Sequence, residues 1–223
     1  SPQTLAKTYI TNLKNIIDKE KTGVIASIIG RYWAMDRDQR WDRTQKAYEC
    51  LTKGSNNKFT SAEEAIDYFY DKGITDEFIE PSTMVDGAGK PLSLIKENDS
   101  VIFYNFRVDR PRQLTKAFIL DDFSKANIIF DAESYNEKFS ISHRTSQSQN
   151  KEPFQRGEKL KNIYFVTMTQ YNRAFADQGA VAAFPPEIVQ TPLSMVISTA
   201  GMRQLKITES EKERFVTFYF NGL

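Results

Sequence analysis

Hydrophobic and polar positions along the chain predict helices interspersed with short strands. Apolar residues between Leu5 and Ile17 recur at helical spacing, which predicts an opening helix that ends near Gly23. Further helices are predicted at residues 43–51, 61–70, 112–118 and 193–200, and the second of these is expected to begin with a capping box formed by Ser61 and Glu64. Strands are predicted at residues 24–29, 101–105, 128–130, 163–166, 204–207 and 215–220. Because short strands alternate with amphipathic helices, we predict an α/β fold with a central sheet flanked by helices.

Two of the predicted strands run directly into arginine-rich segments. Residues 30–41 read GRYWAMDRDQRW, and residues 105–112 read NFRVDRPR. In open α/β sheets, ligands bind beyond the carboxyl ends of the strands, where such segments meet. Guanidinium groups bind oxyanions through paired hydrogen bonds, and phosphate offers several oxygens to such donors. The two segments together therefore favour one shared anionic ligand, with phosphate as the best fit.

A structural role is the alternative for the first of these segments. Asp36, Asp38 and Asp42 alternate with its arginines, and an Arg–Asp network that fastens a helix to a sheet would use the same residues. From this segment alone the two interpretations are equally supported. Asp36 and Asp109 are, in addition, candidates for orienting the arginines instead of contacting a ligand.

Composition indicates a globular protein and argues against a general nucleic-acid binder. Thirty lysines and arginines oppose 29 aspartates and glutamates, so the chain lacks the positive excess of such proteins. The single cysteine, Cys50, lies in a predicted helix and is expected to be a buried structural thiol. The single histidine, His143, lies in a polar stretch, residues 131–159, the middle of which we interpret as an exposed, mobile loop or insertion. No apolar run reaches the roughly 18 residues of a membrane span.

Five motifs in order carry a family resemblance. They are GRYWAMDRDQRW at residues 30–41, NFRVDRPRQLTKAF at 105–118, MTQY at 168–171, VAAFPP at 181–186 and GMRQLKITESEKERFVTFYFNG at 201–222. Together they closely resemble the cofactor-independent phosphoglycerate mutases of the alkaline phosphatase superfamily. The resemblance implies interconversion of 3-phosphoglycerate and 2-phosphoglycerate through a phosphoserine intermediate, in glycolysis and gluconeogenesis, without 2,3-bisphosphoglycerate.

The resemblance assigns six residues to the phosphoglycerate site, namely Arg31, Arg37, Arg107, Asp109, Arg110 and Lys212. Arg107 and Arg110 are expected to hold the phosphate or carboxylate of the substrate. Arg31 and Arg37 are expected to bind the same glycerate from the facing wall. Lys212, in an ExEK element, is expected to contact the phosphoryl group.

The resemblance also implies that this segment lacks the catalytic centre. The nucleophilic serine of the family and its ligands for two divalent metal ions, manganese or magnesium, are expected outside the 223 residues. No catalytic residue and no metal ligand is therefore expected here, and the segment alone is expected to be inactive. A non-catalytic anion-binding fragment and a phosphatase of the same superfamily stay as alternatives.

The domain organisation implied by the resemblance has two parts. Residues 1–183 are expected to be an N-terminally truncated substrate-binding domain, and residues 184–223 the start of the return into the phosphatase-like, metal-binding domain. The intact enzyme is expected to be a cytoplasmic monomer that binds no nucleic acid and no membrane. Arg144 and Arg156, in the predicted insertion, are expected to matter less for turnover than Arg107 and Arg110 do.

Overall fold

A computed structural model describes residues 2–127, 152–187, 189–209, 212, 216 and 219–221. The α/β class predicted from the sequence is confirmed. The chain divides into two compact units, Ser1–Ala183 and Phe184–Leu223, and each is described by itself. The predicted strand at 128–130, His143 and Arg144 lie outside the described residues. None of the described helices is long and apolar enough to cross a membrane.

The first unit is built from helices and short strands in alternation. Its helices are α1 (Ala6–Glu20), α2 (Arg31–Ala34), α3 (Trp41–Thr52), α4 (Ala62–Asp71) and α5 (Arg112–Ile119). Its strands are β1 (Ser27–Ile28), β2 (Asn57–Phe59), β3 (Ser82–Met84), β4 (Ser100–Phe103), β5 (Tyr164–Thr169) and β6 (Ala180–Phe184). Single 3-10 turns lie at Asp76–Phe78, Phe123–Lys125 and Arg173–Phe175.

The described strands form two three-stranded sheets where one central sheet was expected. The first has the order β1-β3-β2, with β3 antiparallel to β1 and parallel to β2. The second has the order β4-β5-β6, with β4 and β5 parallel. Helix α3 contacts β3 of the first sheet, where Cys50 Sγ lies 3.6 Å from Thr83 Oγ1, and it contacts α5, where the Tyr48 ring lies 4.9 Å from the Phe118 ring. The Phe118 ring in turn lies 5.6 Å from the Phe165 ring on β5 of the second sheet.

Local sequence signals explain how the helices begin and end. Ser61 accepts a hydrogen bond from the Glu64 N–H (3.1 Å), and Glu64 Oε2 accepts one from the Thr60 N–H (2.8 Å), so the predicted capping box starts α4. Helix α1 ends at Glu20 and is capped by Lys21, which has a left-handed φ of 51°. The cap lies two residues before Gly23, where the sequence predicted the end of the helix. Cys50 is buried, as expected for a structural thiol.

The second unit contains helix α6 (Leu193–Thr199) and a 3-10 turn at Tyr219–Asn221. The strand predicted at 204–207 is wrong, since this region is irregular. Of the strand predicted at 215–220, residues 215, 217 and 218 lie outside the described residues, and residues 219 and 220 belong to that turn. A strand needs a neighbour that accepts and donates its backbone hydrogen bonds, and the described part of this unit offers none. Side chains hold the region instead, with Lys206 Nζ donating to Asn221 Oδ1.

Candidate functional site

Gly30 brings the first arginine segment against a neighbouring loop at residues 77–79. Its N–H donates to the Ile79 carbonyl (2.8 Å), and a Cβ at this position would lie only 2.4 Å from the Glu77 carbonyl oxygen. Its φ is −65°, so lack of space, not backbone conformation, requires glycine here. Helix α2 begins at the next residue, and its Arg31 pairs with the Glu77 carboxylate at 2.8 Å.

The buried carboxylate of Asp36 organises the rest of this segment. It accepts hydrogen bonds from the backbone N–H groups of Asp38 (3.1 Å) and Arg40 (2.9 Å) and from Arg40 Nη1 (2.9 Å). Arg43 Nη1 lies 3.6 Å from Asp36 Oδ1, the same oxygen that Arg40 Nη1 contacts. Asp36 is only 4% exposed, so it acts on these arginines and not on a ligand in solvent. This part of the segment is the Arg–Asp network that was considered as the alternative.

A second carboxylate, that of Asp109, joins the two arginine segments. Its Oδ2 accepts hydrogen bonds from Arg37 Nη1 (2.8 Å) and Arg107 Nη2 (3.0 Å), and its Oδ1 accepts one from Arg107 Nε. Burial opposes ionisation of this carboxyl group, but the hydrogen bonds from Arg107 and Arg37 outweigh it and lower the pKa of Asp109 well below its usual range. Asp109 is therefore ionised at neutral pH and holds two guanidinium groups together.

Arg110 lies among other arginines. Its Nη1 donates to the Met35 carbonyl (3.1 Å), but its Nε is buried with no hydrogen-bond partner among the described residues. Burial, followed by the positive charges of Arg37, Arg107 and Arg31, lowers the pKa of Arg110. A buried donor without a partner and repulsion between guanidinium groups both cost free energy. An oxyanion bound at this position would relieve both costs.

The structure brings together five of the six residues that the sequence assigned to the site: Arg31, Arg37, Arg107, Asp109 and Arg110. Within the described part of the chain, their four guanidinium groups face the carboxylates of Asp109 and Glu77, which leaves two positive charges. That surplus suits a phosphate dianion. Lys212 belongs to the second unit, where it pairs with Glu209.

The described residues do not fit a metal centre. Among them, no group of three or more histidine, cysteine, aspartate or glutamate side chains is arranged to hold an ion. The two divalent ions implied by the resemblance therefore have no ligand set in these parts of the chain.

Two residues that support the arginine segments were not singled out from the sequence. Glu77, which pairs with Arg31, lies in a short 3-10 turn that carries no motif. Tyr171 is the last residue of MTQY, and its buried hydroxyl donates to the carbonyls of Phe103 (3.0 Å) and Asn105 at the end of β4. Burial raises the pKa of Tyr171 to about 12. The motif could have suggested Tyr171, whereas no local signal distinguishes Glu77.

Arg156, near the end of the predicted insertion, is buried, whereas exposure was predicted only for the middle of that stretch. The residue is 7% exposed, and its guanidinium donates to the carbonyls of Ala117 (3.1 Å), Leu120 (2.6 Å) and Asp121 (3.2 Å). The last carbonyls of a helix lack partners within the helix, so Arg156 caps the end of α5. The few aliphatic residues around it gave no sign of burial, because the contacts are polar and long-range.

The sequence of the chain is similar to those of known phosphoglycerate mutases. Residues 1–173 match the family model for the BPG-independent PGAM N-terminus (iPGM_N). The 2,3-bisphosphoglycerate-independent phosphoglycerate mutase of Chloroflexus aggregans is 42% identical over 214 residues, which cover 96% of this chain and 38% of that protein. The enzyme of the same name from Moorella thermoacetica is 40% identical over 221 residues, covering 99% of this chain and 37% of that protein.

The chain thus spans 37–38% of the length of these two relatives. A crystal structure of Leishmania mexicana phosphoglycerate mutase at low cobalt concentration is similar with a TM-score of 0.67, covering 100% of this chain and 36% of that one. Its sequence identity is 24%, so this likeness shows a shared fold.

Proposed function

The chain belongs to the BPG-independent phosphoglycerate mutase family, and from that premise we propose that the intact protein interconverts 3-phosphoglycerate and 2-phosphoglycerate. In this proposal the phosphoryl group passes through a phosphoserine, and the present segment supplies arginines that bind the phosphoglycerate. The names of the relatives support the reaction. The positive charge of the arginine cluster, by which we mean Arg31, Arg37, Arg107 and Arg110, supports the role of the segment in binding phosphoglycerate.

The observation that carries this role is the environment of Arg110. A half-buried guanidinium whose buried Nε has no hydrogen-bond partner among the described residues, next to three other guanidinium groups, fits a site that receives an oxyanion. Phosphoryl transfer depends mainly on positioning and on stabilising negative charge. Arg110 and Arg107 would hold the phosphate or the carboxylate, with Arg31 and Arg37 on the facing side.

Asp109 has a different role in this proposal from the one that the resemblance gave it. A carboxylate repels an anionic substrate, and both oxygens of Asp109 already accept hydrogen bonds from Arg37 and Arg107. We therefore assign Asp109 to orienting these two arginines. After the phosphoserine forms, the arginines would keep the glycerate close while it turns its other hydroxyl group toward the phosphoryl group.

Two further parts of the reaction lie outside the arginine cluster. Metal ions would supply Lewis-acid activation of the nucleophile, but the described residues offer them no ligand set, so no step is derived through them. Lys212 would contact the phosphoryl group. Its present ion pair with Glu209 is exposed, and such pairs contribute little and exchange readily.

The proposal is tested by incubating the intact enzyme with 3-phosphoglycerate and measuring 2-phosphoglycerate and inorganic phosphate. We expect 2-phosphoglycerate to form without added 2,3-bisphosphoglycerate. Arg107→Ala should lower kcat/KM strongly, and so should Arg107→Lys, because a point charge cannot replace a guanidinium fork. Arg173→Ala, at an exposed position, is the matched control.

Three results would contradict the proposal in different ways. Release of inorganic phosphate without 2-phosphoglycerate would indicate a phosphatase. Binding of phosphoglycerate without any turnover would indicate an anion-binding protein. A normal rate for Arg107→Ala would remove the arginine cluster from the mechanism. The 223-residue chain alone is expected to show no turnover.

A further inference from the structure

One residue of the first arginine segment, Gln39, has a left-handed backbone conformation. Its φ is 57°, and it lies between Arg37 and Arg40. In this conformation the Cβ of a residue other than glycine crowds its own backbone, which costs free energy. Such a turn persists only when its surroundings hold it in place.

The buried side chain of Gln113 supplies such a hold. Its Oε1 accepts a hydrogen bond from the Gln39 N–H (2.8 Å), and its Nε2 donates to Thr44 Oγ1 (3.0 Å). Gln113 is 5% exposed, so water does not compete well for these bonds. Because the Gln39 N–H can only donate, the oxygen of the Gln113 side-chain amide must face it, and the amide nitrogen then faces Thr44.

Gln113 also connects the two arginine segments. It is the second residue of α5, three residues after Arg110, whereas Gln39 follows Arg37 by two residues. Three other hydrogen bonds join the segments among the described residues: Arg37 to Asp109, Arg110 to the Met35 carbonyl, and Asn105 Nδ2 to Met35 Sδ at 3.9 Å. The first two involve arginines that would contact a bound anion, and the third is a weak bond to sulfur. The Gln113 contact is neutral and buried, and it does not compete with such a ligand.

We infer that Gln113 is a positioning residue for the arginine cluster: its amide holds the left-handed turn at Gln39 and so sets the position of Arg37 relative to Arg110 while the substrate binds. This inference rests on the proposed function. It adds a residue that touches neither the substrate nor any charged group named above, and that acts only through the backbone of the first segment.

The test uses the intact enzyme with Gln113→Met, which keeps the length of the side chain and removes both hydrogen bonds. We expect kcat/KM for 3-phosphoglycerate to fall about tenfold, mainly through a higher KM, since one tenfold step corresponds to about 1.4 kcal/mol. Adding Gln39→Gly should recover at least threefold, because glycine adopts a positive φ without the steric cost.

Lys116→Met is the matched control on the same helix. Lys116 is buried, and its Nζ donates to the Ala126 carbonyl (2.8 Å). Its replacement removes a buried hydrogen bond without touching the turn at Gln39. We expect it to lower the melting temperature but to change kcat/KM of the folded enzyme less than twofold.

A second readout separates failure of this inference from failure of the proposed function. If the unmodified enzyme forms no 2-phosphoglycerate, the proposed function is wrong, and the rise in melting temperature caused by inorganic phosphate is compared among the variants instead. A loss with Gln113→Met but not with Lys116→Met still supports the positioning role. Equal behaviour of these two variants in both readouts, or no recovery with Gln39→Gly, overturns it.

If Gln113→Met does not fold, two other variants replace it. Gln113→Glu, which keeps the acceptor for Gln39, is expected to show a smaller loss than Gln113→Ala. An equal loss in these two variants overturns the inference.

Discussion

Replacing Arg110 by methionine should abolish most of the activity while leaving the fold almost as stable as before. The variant loses the hydrogen bond to the Met35 carbonyl, which contributes about 1–2 kcal/mol. It also removes the buried Nε that has no partner among the described residues, which costs about 1–3 kcal/mol in the unmodified protein. Repulsion from Arg31, Arg37 and Arg107 disappears as well, on the order of 1 kcal/mol after screening. The two relieved costs together match or exceed the lost hydrogen bond, so we expect the free energy of unfolding to fall by no more than about 1 kcal/mol or to rise.

The expected loss of activity is larger than the change in stability, because Arg110 would form a hydrogen bond with the negative charge of the substrate. A charged hydrogen bond in a site that excludes water contributes about 2–4 kcal/mol to the transition state. That range corresponds to a decrease in kcat/KM of roughly 30- to 900-fold.

The assay compares kcat/KM on 3-phosphoglycerate with thermal unfolding, with and without inorganic phosphate, at constant ionic strength. A ligand at about 100 times its Kd stabilises the folded state by about 2.7 kcal/mol. The unmodified enzyme should show this rise in melting temperature, and Arg110→Met should lack it. Arg173→Met, at an exposed position, serves as the control. The reasoning is refuted if Arg110→Met keeps the phosphate effect, or if it loses more than about 2 kcal/mol of stability, as a structural arginine would.

Three further predictions concern stability. Arg156→Met should lower the free energy of unfolding in urea by about 3 kcal/mol, because three carbonyls lose their hydrogen-bond donor. The kcat/KM of the folded enzyme should change little. An unchanged urea midpoint would contradict the capping role. Since the pKa of Asp109 is lowered on folding, its stabilisation is fully present above the ordinary carboxyl pKa of about 4 and is lost progressively as the pH falls through the lower pKa of the folded state. Asp109→Asn should therefore cost about 1 kcal/mol at neutral pH and clearly less near pH 2. The pKa of Tyr171 is raised to about 12, so the stabilisation of the folded state by its protonated hydroxyl is present below about pH 10 and is lost as the pH rises through 12. Tyr171→Phe should remove this loss of stability at alkaline pH. The measurement is denaturant unfolding across this pH range.

Local patterns were sufficient to predict most helices and the meeting of the arginine segments. The apolar spacing and the Ser61–Glu64 capping box depend on residues a few positions apart, and α4 begins where they indicate. Arg37 and Arg107 were expected together because each follows a predicted strand, and the structure joins them through Asp109. The roles assigned to these arginines stay predictions.

Contacts between distant positions were beyond the reach of these patterns. Arg31 meets Glu77 across 46 residues, and Arg156 reaches the Ala117 carbonyl across 39. Charged side chains of this kind have the same local signature whether they are buried or exposed. The division of the strands between two sheets depends in the same way on tertiary packing, because helix α3 lies in contact with both β3 and α5.

The close packing at Gly30 has a consequence for genetics. An added methyl group would meet the backbone of Glu77 and Ile79, which cannot turn aside as a flexible side chain can. Overpacking of this kind costs about 1–3 kcal/mol, a substantial share of the 5–15 kcal/mol that stabilises a typical domain. The same displacement would move Glu77 away from Arg31. In a host whose growth depends on this protein, Gly30→Ala should therefore be a conditional allele, tolerated in the cold and lethal on warming.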